Sequence, residues 1–105
     1  MTTKQRAFLI HLASGEQTIL HIGKSGLTPE ITASVEEALA ARELIKIGIQ
    51  QNCPETAADV ANALAAATYA DVVQIIGRKI VLYREGRGKK KKIELPAAKK
   101  ERTPK

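Results

Sequence analysis

The chain has 105 residues, 44% of them hydrophobic, and a net charge of +6, which fits one domain with a modest core. Its single cysteine, Cys53, excludes an internal disulfide and a cysteine-based zinc site. No apolar run approaches the roughly 18–20 residues that span a membrane, and the start, Met1-Thr2-Thr3-Lys4-Gln5-Arg6, lacks the apolar stretch of a signal peptide, so the expectation is a cytoplasmic protein without a membrane partner.

Thr3 can cap a first helix running to Ala13, with Phe8, Leu9, Leu12 and Ala13 as its apolar stripe and Ser14-Gly15 as its stop. A short strand is predicted over 17–22. After Gly23-Lys24-Ser25-Gly26, Thr28 suits an N-cap, Pro29 the first helical position and Glu30 the first turn. That helix buries Ile31, Val35, Ala38, Leu39 and the stem of Arg42, a spacing of three and four. In the strand over 44–50, Ile45, Ile47 and Ile49 alternate with Lys46, Gly48 and Gln50, so one face meets the core and the other meets solvent or a ligand. Asn52-Cys53-Pro54-Glu55 opens a third helix whose stripe is Ala57, Val60, Ala61, Leu64, Ala65 and Thr68. Two β-rich runs, 71–76 and 79–84, flank Gly77-Arg78, which suits a two-residue type II′ turn.

The basic charge is concentrated at the end. Residues 84–105 hold ten basic side chains against three acidic ones, leaving 1–83 at a net −1. Lysines fill 89–92, Ile93-Glu94-Leu95-Pro96 is a brief apolar return that can dock on the domain, and 97–105 reads as a disordered basic tail beyond a domain of 1–96. The expected fold is α/β in the order α-β-α-β-α-β-β: a compact two-layer sandwich, with helices on a mixed four-stranded sheet.

The loop Gly23-Lys24-Ser25-Gly26 admits three readings. Gly-Lys-Ser ends the nucleotide-binding P-loop, but Thr18 stands where that motif needs glycine, and Gly26 and Pro29 push the helix start downstream. A plain tight turn explains the glycines by positive φ and leaves Lys24 as a surface charge. A nucleic-acid clamp uses Cβ-free backbone and a lysine to hold phosphates, as the loop of KH domains does between two helices, with the dipole of the following helix adding to it.

Five stretches together resemble the CRM domain (chloroplast RNA splicing and ribosome maturation) and its stand-alone bacterial form, the YhbY family. They are Thr3-Lys4-Gln5-Arg6; Ile22-Gly23-Lys24-Ser25-Gly26-Leu27-Thr28; Glu43-Leu44-Ile45-Lys46-Ile47; Gln74-Ile75-Ile76-Gly77 with Val81-Leu82-Tyr83-Arg84; and Lys92-Ile93-Glu94-Leu95-Pro96. The resemblance spans about Thr3 to Pro96. It implies a fold like the C-terminal domain of translation initiation factor three. It also implies RNA binding with Gly23, Lys24, Ser25 and Gly26 on the RNA face, and association with precursors of the large ribosomal subunit. Two departures stand out. Gly48 takes the place of a basic or larger residue on the open strand face, which weakens RNA contact there, and Tyr69 takes the place of glycine before the third strand.

Around the loop, Lys4, Arg6, Lys46, Arg78, Lys79 and Arg84 are candidate phosphate contacts, each weighed against an ordinary solvated charge. The lysine block at 89–92 reads as a polyelectrolyte arm that binds by counterion release. His11 and His21 lie far apart, Glu36 and Glu37 point to different sides of a helix, and no serine, histidine and acid fall at catalytic spacing. The expectation is therefore a monomeric RNA-binding protein with no catalytic residues, metal or cofactor. With only three Phe or Tyr residues and no Trp, it should read RNA shape and backbone more than bases. The competing expectation is a protein-interaction module that uses the open sheet face or hairpin, with a solubilising tail.

Overall fold

A computed structural model describes residues 1–86 and residue 93. The elements are α1 (Thr3–Ala13), β1 (Thr18–Ile22), α2 (Pro29–Arg42), β2 (Leu44–Ile49), α3 (Ala57–Thr68), β3 (Asp71–Ile76) and β4 (Lys79–Tyr83), in the expected order. None of the described helices is long and apolar enough to cross a membrane.

The sheet order is β1-β2-β4-β3. β1 and β2 are parallel, as a strand-helix-strand crossover through α2 demands. β4 is antiparallel to both β2 and β3. Ile45, Ile47, Ile49, Ile22, Ile80 and Leu82 turn to one face and pack with Val35 and Leu39 of α2 and Val60, Ala61 and Leu64 of α3. The two-layer expectation takes one addition. Leu44, Val73, Val81 and Tyr83 turn to the second face and are covered by Leu9 and Ala13 of α1. α1 lies over β2, β3 and β4, and on the same face His21 and Lys79 stay exposed. Ile93 packs into the α1 cluster, as the apolar return predicts for that residue; residues 94–96 and the tail at 97–105 lie outside the described residues.

Local starts and stops differ from the sequence reading in three places. Thr2, not Thr3, caps α1. The Gln5 N–H donates to Thr2 Oγ1 at 3.1 Å, and the Thr2 N–H donates to Gln5 Oε1 at 3.0 Å, a reciprocal box that needs Thr and Gln three residues apart. Pro54 and Glu55 precede α3, which is capped by Thr56 through the Asp59 N–H at 3.0 Å. Arg42, expected to bury its stem, is exposed as a residue. The hairpin is as expected, with Gly77 at φ +56° and a closing Ile76–Lys79 pair.

Tyr69 follows α3 in the left-handed region, at φ +60° and ψ +35°, with 89% of its surface exposed. A Cβ there is strained by about 1–2 kcal/mol, and the exposed ring offers little packing in return. Tyr69→Gly is therefore expected to gain about 0.5–1 kcal/mol, after subtracting the extra freedom glycine gives the unfolded chain. Urea denaturation checks it, and a loss of stability would mean that the ring makes contacts the fold does not reveal.

Candidate nucleic-acid interface

Residues 23–26 form one tight turn in which the Gly26 N–H donates to Gly23 O at 2.9 Å. Gly26 has φ +70° and is buried; a Cβ there would lie 2.6 Å from Glu55 Oε1 and 3.2 Å from Pro54 Cγ. A Cβ on Gly23 would lie 2.6 Å from Gln50 Oε1. The Cβ-free sides of both glycines thus face the protein's own 50–55 turn. Close approach of a ligand is not what requires them. Glu55 also accepts the Leu27 N–H at 2.9 Å, tying the loop down from behind.

Lys24 and Ser25 at the crest of the turn are exposed. Their N–H groups meet no acceptor among the described residues. The α2 N-terminus adds less than expected. Thr28 Oγ1 takes the Ile31 N–H at 3.2 Å, Pro29 has no N–H, and Glu30 already sets an acid in the first turn. The loop can offer an anion two adjacent N–H groups and one ammonium.

The sheet register brings other candidates to the same end. Ile22 at the end of β1 pairs with Ile49 at the end of β2, and the Ile49 N–H donates to Arg78 O at 2.7 Å. The hairpin tip therefore stands beside the glycine turn. Gly48 pairs with Lys79 on one side and His21 on the other, so Lys79 and His21 share a face, as does Lys46 two residues back along β2. Lys79, Arg78 and His21 are exposed, and Lys46 is half-buried. Lys24, Arg78 and Lys79 thus stand around one sheet end, and Lys46 lies mid-strand on the same face as Lys79.

Three candidates stand elsewhere. Arg6 Nη1 donates to Val72 O at 2.7 Å and Val73 O at 2.8 Å, bolting α1 onto the irregular step of β3, the edge strand farthest from β1. Lys4 is exposed in the first turn of α1. Arg84 lies at the opposite end of the sheet, where its N–H donates to Glu43 O at 2.9 Å. The length of β2, on the order of 17 Å, separates it from the glycine turn. Its Nη1 donates to Glu36 Oε1 at 2.7 Å and to Thr68 O at 3.0 Å, fastening α2 to the end of α3. The hydrogen bond from Arg84, with the guanidinium charge adding to it, holds the Glu36 carboxyl below its ordinary range. Arg6 and Arg84 thus hold elements of the fold together, contacts that the sequence reading did not assign to them. The sequence reading passed over His21, whose place beside Gly48 depends on strand register.

The profile of the CRS1 / YhbY (CRM) domain matches residues 1–84. The chain is 44% identical over 96 residues to the "Probable RNA-binding protein YqeI" of Bacillus subtilis, covering 91% of this chain and 99% of that one. It is 38% identical over 96 residues to an "RNA-binding protein" of Haemophilus influenzae, covering 91% and 95%. The solution structure of the hypothetical protein SAV1595 from Staphylococcus aureus superposes with a TM-score of 0.76 at 38% identity, over 91% of this chain and 99% of that one.

Proposed function

The chain belongs to the CRS1 / YhbY (CRM) domain family, and from that premise we propose that it binds RNA, with ribosomal RNA in a precursor of the large subunit as its target. The observation that carries the reading is the gathering of Lys24, Arg78 and Lys79 at one end of the sheet, with Lys46 further along β2 on the same face as Lys79, beside two N–H groups of exposed residues that meet no acceptor among the described residues. Residues 1–83 have a net charge of −1, so this end is a local basic surface on a near-neutral body. Phosphates rest on Lys24 and the Lys24 and Ser25 N–H groups, while the strand and hairpin cations meet a second stretch of backbone. Such a surface recognises a folded RNA by the spacing of its phosphates. The names of the Bacillus and Haemophilus relatives support RNA as the partner, and the resemblance to stand-alone CRM proteins supports the ribosomal target.

The double variant Lys24→Asp, Ser25→Asp tests the loop. Affinity for a structured fragment of large-subunit ribosomal RNA is expected to fall on the order of tenfold near 0.1 M salt, with a shallower dependence of log K on log salt. Unchanged affinity in a folded variant removes the loop from the interface. Crosslinking in cells tests the target, and crosslinks confined to other RNAs would overturn the ribosomal assignment. One observation favours a protein partner instead: Ile76 and Ile75 are 59% and 40% exposed on edge strand β3 beside the hairpin tip. Protein capture that survives nuclease and depends on those two isoleucines would support that second reading.

A further inference from the structure

Gly48 is buried although it sits on the outward face of β2. What covers it is His21. A Cβ on residue 48 would lie 3.0 Å from His21 Cδ2 and 3.5 Å from Nε2, with Thr18 Cγ2 at 3.3 Å. The missing side chain lets the imidazole lean from edge strand β1 across β2. Its Cδ2–Nε2 edge lies close over Gly48, while His21 as a whole remains exposed. Lys46 is the next outward residue on β2, and Lys79 is the register partner of Gly48 on β4. The ring therefore shares its sheet face with Lys46 and Lys79 and lies one residue before Ile22 and the glycine turn, at the place where the sequence reading expects weakened contact.

The described Phe and Tyr rings do not serve this end. Phe8 packs in the α1 cluster, Tyr83 is buried, and Tyr69 stands beyond the far end of the sheet. We propose that His21, laid over Gly48 and flanked by Lys46 and Lys79, is a stacking platform for one unpaired nucleobase, whose adjoining phosphates the two lysines hold. Histidine is among the side chains on which splayed-out bases stack. A ring backed by the sheet loses little freedom when a base settles on it. Stacking reads the flat face of any base, so this adds a preference for an unpaired nucleotide without a preference for its identity.

The inference rests on the RNA-binding reading above, and the test separates the two. Affinity is measured for a short RNA helix with one bulged adenine and for the same helix fully paired. The wild-type chain is expected to prefer the bulged RNA by about five- to a hundredfold. His21→Ala should abolish that preference and leave binding of the paired helix in place, while His21→Phe, which keeps a flat ring, should retain it. The ring protons of His21 should shift upfield on adding the bulged RNA, with His11, the other histidine, as internal control. Equal binding of the two RNAs by the wild type, or a preference that survives in His21→Ala, overturns the platform alone. Loss of the preference in both variants also overturns it, because a face-on stack does not require imidazole nitrogens. Failure to bind either RNA overturns the RNA-binding reading and the platform with it.

Discussion

Glu43→Ala is expected to lower the unfolding free energy by about 2–4 kcal/mol, the largest loss we foresee for any single side chain outside the apolar core. Glu43 is 0% exposed, a rare setting for a carboxylate. It ends α2 at φ +68° and ψ −45°, a region that strains any residue with a Cβ. Hydrogen bonds hold it there. Its N–H donates to Leu39 O at 2.9 Å and its O accepts from the Arg84 N–H at 2.9 Å. Its carboxylate accepts the Gly86 N–H and the Ile93 N–H, each at 2.8 Å. One side chain thus fixes two points of the chain beyond β4, and Ile93 is carried into the α1 cluster.

Alanine keeps the strained backbone and removes the acceptor of both N–H groups. Alanine also removes the cost of burying a carboxylate, which holds the loss below the full value of two charge-assisted bonds. Glu43→Gly relieves the backbone but not the lost acceptor, so it should recover about 1 kcal/mol relative to alanine. Urea denaturation gives the energies, and amide exchange at Ile93 gives the cause. If the Ile93 amide exchanges as slowly in Glu43→Ala as in the wild type, the carboxylate is not what holds that segment.

The second large effect separates the two kinds of arginine and lysine on this domain. Lys46→Glu with Lys79→Glu should weaken binding to structured ribosomal RNA by on the order of a hundredfold or more at low salt, and flatten the salt dependence by about 0.7–0.9 for each phosphate no longer neutralised. Stability should change little for Lys79, which is exposed. Arg84→Ala should do the reverse. It leaves RNA affinity within about twofold and reduces stability by about 1–2 kcal/mol, since the half-buried guanidinium joins Glu36 to the end of α3. Filter binding over a salt series, run beside thermal melts of each variant, gives both quantities. Equal losses of RNA affinity from Arg84→Ala and from the lysine pair would mean that the basic surface wraps around the sheet and is not confined to one end.

Much of the fold was legible before any coordinates. Alternating isoleucines over 44–50 mark β2 because a pleat sends every second side chain to one face. Thr28-Pro29-Glu30 marks the start of α2 because cap, fixed φ and acid each answer a local need of a helix N-terminus. The misses were local competitions. Thr2 displaced Thr3 as a cap because Gln5 completes its box, and Pro54-Glu55 stayed outside α3 because Thr56 caps that helix while Glu55 accepts the Leu27 N–H of the glycine loop.

The candidate site was legible as a set of residue types but not as an arrangement. By itself the sequence determined the order of elements, the family, and a basic character that helix and strand periodicity cannot hide in a core. Those properties are carried by neighbours in the chain. Only the tertiary structure decided which cations act together. Parallel pairing of β1 with β2 and antiparallel pairing of β2 with β4 bring Lys24, Arg78 and Lys79 to one end, set Lys46 mid-strand on the same face as Lys79, and send Arg84 to the other end. The same pairing lays His21 on Gly48 and turns the two loop glycines inward onto Gln50 and Glu55. Such contacts join residues more than twenty apart in sequence, and strand register, set by burial of the isoleucine face, determines which of them meet.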